Sequence, residues 1–365
     1  MGSSMVGRFS LARDTCTAGL PRLHAERCVH RIAAVATCRA CADACPRGAW
    51  SVDDGGVSLD AARCDGCGLC VPACPEGVIA TPHRPVRRRD AAGPLAMAAC
   101  GQSGLANGRE GVVGVLPCLN AIGLADLIAL YGAGVRRLVV TGGDCAACPT
   151  GCSTAVRLDT AVAELNRLLD GRGLPPLALR RRSPTPWRAQ LRFDTEPDGG
   201  PDGAPGIGRR ALLRMVAAPP AADPPPAAGR APARLLPPPA PGRTDDTVPW
   251  PWVPSLDAAR CTACGACARL CPHGAIRLDP DPPAFHLEPA DCTGCCLCTD
   301  VCTEDAVILE RLAPRRQTTL PLERHRCRAC GVEELSPAAR PAAADGLCRI
   351  CRTTRRTARL FQVLD

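Results

Sequence analysis

Apolar and polar positions fall into distinct regimes along the chain. Between residues 94 and 182, PLAMAAC, EGVVGVLPC and VRRLVVTGGDC are short β-rich apolar runs, each ending at a cysteine: Cys100, Cys118 and Cys145. Between and after them, LNAIGLADLIALYGAG and STAVRLDTAVAELNRLLDGRG place apolar residues three and four apart, as amphipathic helices do. Gly134 and Gly171 are the expected stops. Alternating strands and helices predict a mainly parallel sheet with right-handed crossovers. Such a sheet gathers the carboxyl ends of its strands at one edge, where open α/β folds build their sites. The three strand-end cysteines converge there, and CAACPTGC adds Cys148 and Cys152.

Elsewhere a repeat replaces this alternation. LDAARCDGCGLCVPACPEGVI (residues 59–79) and LDAARCTACGACARLCPHGAI (256–276) are near copies, and EPADCTGCCLCTDVCTEDAVI (288–308) is a third. CRACADACP supplies a degenerate fourth, with Cys38, Cys41 and Cys45 but Val35 where a first cysteine is due. Repeats are structural units, and these pair into modules near residues 28–82 and 255–310. Residues 183–254 are rich in proline, glycine and alanine, which predicts an extended tether. Within it, IGRRALLRMV has the pattern of one or two amphipathic turns, and its paired arginines are internal and lack the apolar region of an export signal.

Composition narrows the classes. Of 365 residues, 27 are Cys, 38 Pro and 35 Gly, and aromatics make up 2 %, which argues against one large core and assigns part of the folding energy to inorganic cofactors. An odd cysteine count does not suit a closed disulfide framework, and the first residues lack the pattern of a secretory signal. A reducing cytoplasm is the expected location. No continuous apolar run is long enough to span a bilayer. The formal charge of +8 counts every cysteine as neutral. Four thiolate-held clusters would contribute roughly −8, so net charge is no argument for nucleic acid. The patches Arg87 to Arg89 and Arg180 to Arg182 are read as solvated surface, with docking of acidic partners as the alternative.

On the C-x2-C-x2-C-x3-C spacing, both modules resemble bacterial-type two-cluster ferredoxins, a βαββαβ-like fold with two [4Fe-4S] clusters. In that family each motif gives three cysteines to one cluster and its fourth to the other. The resemblance implies one cluster on Cys261, Cys264, Cys267 and Cys302, and another on Cys271, Cys292, Cys295 and Cys298. Thr303 replaces the usual proline, and Cys296 is left over as a small packing residue. In the first module it implies a cluster on Cys45, Cys64, Cys67 and Cys70. The other site has only Cys38, Cys41 and Cys74 in the family pattern: either it holds a [3Fe-4S] cluster, or Cys28 folds back as fourth ligand, the preferred reading.

Residues 94–182 resemble the small delta subunit of methyl-viologen-reducing hydrogenase, which carries a [2Fe-2S] cluster. The resemblance rests on the isolated Pro117–Cys118, the GAGVRRLVVTGGDC strand and the cysteines after it. It implies a ligand set of Cys100, Cys118, Cys145 and Cys148, with Cys152 as substitute; a metal-free fold or a redox thiol pair stays open. The tail places Cys327, Cys330, Cys348 and Cys351 as C-x2-C-x17-C-x2-C, the pattern of a zinc ribbon. Rubredoxin-type iron is the second reading, favoured by Gly331 and disfavoured by Arg352 where a second knuckle glycine is due.

The expected organisation is α+β and multidomain: an extension (1–27), a ferredoxin-like module (28–93), a small α/β domain (94–182), a linker (183–254), a second module (255–312) and a zinc-ribbon-like tail (313–365). Several redox centres without a flavin, pterin or nucleotide fingerprint describe an electron relay serving a multisubunit oxidoreductase such as a hydrogenase, dehydrogenase or heterodisulfide reductase. The tether would let one module visit a donor while the other visits an acceptor. The alternatives are a metalloenzyme maturation factor and a redox-responsive nucleic-acid-binding regulator. Cys16 has no assigned role.

Overall fold

Each cysteine-rich module is framed by an outer strand pair and an inner hairpin. In the second module the strand Pro249–Leu256 pairs antiparallel with Val307–Pro314, and the hairpin Ile276–Pro280/Pro283–Leu287 lies between the two motifs. Short helices Ala266–Leu270 and Leu297–Asp300 follow the ligand loops, which completes a βαββαβ order. The first module is a reduced version. Arg22–Leu23 pairs with Ile79–Ala80, and Trp50–Asp53 with Gly56–Leu59. Its helices Val29–Ile32 and Ala40–Asp43 both precede the hairpin.

The computed structural model describes residues 20–53, 55–105, 114–145, 148, 157–183, 231–244, 246–339 and 345–357. Cys16, Cys152 and the IGRRALLRMV segment lie outside the described residues.

The middle domain is a five-stranded, mainly parallel sheet, as its pattern predicts. Gly93–Cys100 is central, with Arg137–Thr141 parallel on one side and Ala178–Arg181 parallel beyond it. On its other side lie Val115–Leu116, parallel, and Val86–Asp90, antiparallel. Alternate residues Ala96, Ala98, Leu138 and Val140 face the helices Leu124–Gly132 and Arg157–Gly171, whose Leu127, Ile128, Leu165 and Leu168 are fully buried. Both helices end in the same hydrogen-bonded cap. Gly134 (φ +88°) donates to Tyr131 O while Val135 donates to Leu130 O, and Gly173 (φ +68°) donates to Asp170 O while Leu174 donates to Leu169 O. The second stop thus lies at Gly173 rather than Gly171, the last helical residue.

Gly171 serves packing instead: an added Cβ would meet Pro249 Cδ at 2.1 Å. The adjacent Arg172 is 1 % exposed, lies 4.6 Å over the Trp250 ring and donates to Pro249 O at 2.5 Å. Nearby, Arg311 pairs with Glu164 at 2.7 Å. These contacts correct the expected tether over residues 231–254. Ala233, Val248, Trp250 and Val253 form a buried cluster, Ala240 donates to Arg172 O, and the module's first strand already begins at Pro249. Pro232 opens a short 3-10 helix, Pro232–Leu235, and the chain then passes Gly173, where an added Cβ would meet Ala240, before reaching the strand at Pro249.

The three units are mutually packed, so the picture of two modules moving independently gives way to docked modules. Cys67 and Leu69 of the first module bury against Cys118 of the middle domain, and an added Cβ on Gly123 would meet Pro72 at 2.5 Å. The two modules meet along Val29, Ala36 and Leu297. The tail is also continuous with the second module. Thr319–Arg326 pairs with Pro283–Leu287 and with Glu333–Pro337, and Leu320 and Leu322 enter the module core beside Phe285. No helix among the described residues is long and apolar enough to cross a membrane.

Gly171→Val would force Pro249 off the helix, with an overpacking cost of about 1–3 kcal/mol. Faster amide exchange along Pro249–Leu256, with Gly93–Cys100 unaffected, is the expected result.

Candidate metal centres

One turn recurs after the last cysteine of every motif. Three residues beyond Cys45, Cys74, Cys271 and Cys302, the backbone enters the left-handed region, at Gly48 (φ +56°), Gly77 (+59°), Gly274 (+67°) and Asp305 (+46°). The next N–H then points back at the cysteine. Ala49, Val78, Ala275 and Ala306 donate to Sγ of Cys45, Cys74, Cys271 and Cys302 at 3.3, 3.4, 3.2 and 3.2 Å. The turn survives both Thr303 in place of proline and Asp305 in place of glycine. Cys296 (φ +65°) occupies the left-handed position that Gly68 and Gly265 fill in the neighbouring repeats, and its side chain is exposed.

These turns aim the last cysteine of each motif at its sister motif. Cys261, Cys264, Cys267 and Cys302 line one cavity. Cys271, Cys292, Cys295 and Cys298 line a second, each cavity with about 360 Å³ of free space including its mouth. Cys45 couples electrostatically to Cys64 and Cys70, and Cys70 to Cys67, beside the buried Trp50. Cys302, Cys271 and Cys74 thus each line a cavity together with cysteines of the sister motif.

At the site that lacks a first cysteine, Cys28, Cys38, Cys41 and Cys74 line a cavity of about 400 Å³, the same scale as the complete sites. Cys28 begins the short helix Val29–Ile32, where His30 Nε2 bonds to Cys38 O at 2.8 Å and ties the helix to the ligand loop. Cys28 is 8 % exposed, whereas Val35, in the vacant sequence position, is 45 % exposed. The loop has been diverted outward, and an upstream thiol fills the interior.

Burial dominates the proton affinities. It pushes Cys41 and Cys70 up to about 11 and Cys67, Cys267, Cys292 and Cys295 up to about 12; Cys28, Cys64, Cys74 and Cys298 are raised by the same cause. A polynuclear cation core is what would hold these groups as thiolates. Their spread fits such a core better than a single ion. Among the described residues, the one group of three or more potential ligands gathered within 4.8 Å is in the tail.

That tail group is Cys327, Cys330, Cys348 and Cys351, with Cys330 and Cys348 sulfurs 3.7 Å apart. A tetrahedral ion with bonds near 2.3 Å requires edges of about 3.8 Å. The N–H of Cys348 donates to Cys327 Sγ at 3.2 Å, and such backbone donors hold Cys327 down to about 6. Sulfur–sulfur hydrogen bonds to Cys330 and Cys348 push Cys351 up to about 12. The ribbon reading needs one correction. The first pair is a knuckle with Gly331 at φ +73°, but Cys351 lies inside the helix Arg349–Thr357. Arg352, which takes the place of a knuckle glycine, continues that helix by donating to Cys348 O.

In the middle domain the strands ending at Cys100, near Cys118 and before Cys145 are adjacent and parallel, so these residues share one sheet edge. Cys100 Sγ lies 3.9 Å from Pro117 O, Cys118 is buried, Cys145 is exposed, and Cys148 N donates to Cys145 O. Glu76, which bridges the two modules, is a residue that the spacing argument missed. Its signal is positional: CPEG and CPHG place Glu76 and His273 identically in two repeats.

Residues 36–78 and 260–306 match the model of the 4Fe-4S dicluster domain. The chain is similar to the electron transport protein HydN of Escherichia coli K12, at 44 % identity over 79 residues, 20 % of this chain and 45 % of that protein. The HydN proteins of strains CFT073 and O157:H7 match equally. The chain spans less than half the length of these curated relatives. It carries two 4Fe-4S dicluster regions, and both coincide with the modules described above.

Two outcomes follow from the site geometry. Cys28→Ala should lower the iron of anaerobically prepared protein by about one to four atoms, whereas Cys296→Ala should leave iron and sulfide unchanged. Because burial keeps the raised thiols protonated throughout the range from about pH 7 to 9 and ligation expels the protons, cluster loading should improve as pH rises across that range, with proton release measurable in weakly buffered solution.

Proposed function

We propose that this chain is a multi-centre iron-sulfur electron-transfer protein, serving as a subunit or dedicated partner of an oxidoreductase such as a hydrogenase, dehydrogenase or heterodisulfide reductase. The observation that carries this reading is the set of four thiol groups, each completed by a cysteine from another segment and packed into one body. The ligand sets are Cys28, Cys38, Cys41 and Cys74; Cys45, Cys64, Cys67 and Cys70; Cys261, Cys264, Cys267 and Cys302; and Cys271, Cys292, Cys295 and Cys298. Cys28 at the first of these favours a cubane over a [3Fe-4S] centre. Bound there, a [4Fe-4S] cluster supplies a one-electron redox couple.

The protein's own part is to bury the thiols, donate N–H groups to sulfur and exclude water, all of which set potential. The middle domain is read as an additional centre on Cys100, Cys118, Cys145 and Cys148, because Cys118 packs on Cys67 of the nearest set. The tail thiols are assigned to zinc as a structural clamp, on the strength of their tetrahedral spacing. Electrons enter and leave through docked redox proteins rather than by one module swinging on a tether.

Anaerobic protein should contain about sixteen iron atoms and as many sulfides in the two modules. It should take up electrons reversibly from a low-potential donor. Colourless, sulfide-free protein from iron-replete cells would end this reading.

A further inference from the structure

Glu76 follows Cys74 by two residues, and His273 follows Cys271 by two. The fold sets these equivalent turns face to face. Glu76 Oε2 lies 2.7 Å from His273 Nε2, and its Oε1 accepts from Thr293 Oγ1 at 2.6 Å. Thr293 is the residue after Cys292. The Glu76 and His273 side chains are 6 % and 13 % exposed. Beside them, Val29, Ala36 and Leu297 form an apolar seam on which Cys38 and Cys295 both pack. At its rim, Thr37 donates through N and Oγ1, each at 2.9 Å, to the Asp300 carboxylate.

A buried carboxylate is costly unless both oxygens are satisfied, and Glu76 satisfies both from the opposite module. Its neighbours along each chain segment are cysteines of the two inner sets: Cys74 on one side, Cys271 and Cys292 on the other. The interface is thus built from the ligand turns themselves, not from remote surface.

We propose that Glu76 is a positioning residue that fixes the separation of the two inner centres, so that the four centres form one continuous series instead of two independent pairs. This rests on the electron-transfer reading. The step it serves moves one electron between the inner centres, one oxidised as the other is reduced, with no bond made or broken and no proton moved. Glu76 acts through Cys74, Cys271 and Cys292.

The test is the electron paramagnetic resonance spectrum of the fully reduced, full-length protein, read together with its iron and sulfide content. The native spectrum should require spin coupling across both modules. Glu76→Lys should reduce it to the sum of two independent pairs at unchanged iron and sulfide, whereas Glu76→Gln, which can still accept from Thr293, should retain the native coupling. If Glu76→Lys loads poorly, His273→Asp, which opposes two carboxylates at the same point, should give the same loss. A native spectrum that already fits two independent pairs, or coupling that persists in fully loaded Glu76→Lys or His273→Asp, overturns the proposal and leaves electron transfer intact. Native protein without iron and sulfide overturns the electron-transfer reading itself.

Discussion

A thiolate is costly to bury alone, and the arrangement of this chain follows from how it buries many of them together. In the second module each motif places three cysteines around one cavity and its fourth at the cavity of the other motif, so neither lines its cavity alone. The recurring left-handed turn makes the crossing possible by reversing the chain and returning an N–H to the departing sulfur. Hairpin and outer strands then need only hold two such loops in register. This explains how a chain with so few aromatic residues maintains structure around its sites.

The ligand spacing and its repetition were legible in the sequence because cysteine positions report directly on loop geometry. The middle sheet was legible for another reason: its two helices carry a clear apolar period over strands such as Arg137–Thr141. What composition concealed was packing. Proline-rich sequence over residues 231–254 has the makings of a spacer, yet Gly171 leaves a flat bed on which Pro249 rests, and Arg172 donates to Pro249 O and stacks on Trp250. No local pattern reveals that fit, since the two halves lie far apart in sequence. The tail was misjudged more narrowly. Arg352 signalled that a second knuckle was wrong, and the helix it joins is the physical outcome.

Cys28 brings a buried thiol from upstream to the cavity of the degenerate repeat. Val35 keeps its place in the sequence motif but leaves the interior, and the His30 bond to the Cys38 carbonyl draws the upstream helix over the gap. The Thr37 N–H, two residues beyond Val35, donates to Asp300 at the rim of the intermodule seam. Loss of a ligand position and gain of an interface thus involve the same few residues.

The seam also ties the two modules to one another. Cys38 and Cys295 are packed where the modules touch, while Cys264 of the second module is exposed. A change of side chain at Val29, Ala36 or Leu297 therefore reaches a cysteine set in each module at once. A change beside Cys264 meets solvent first.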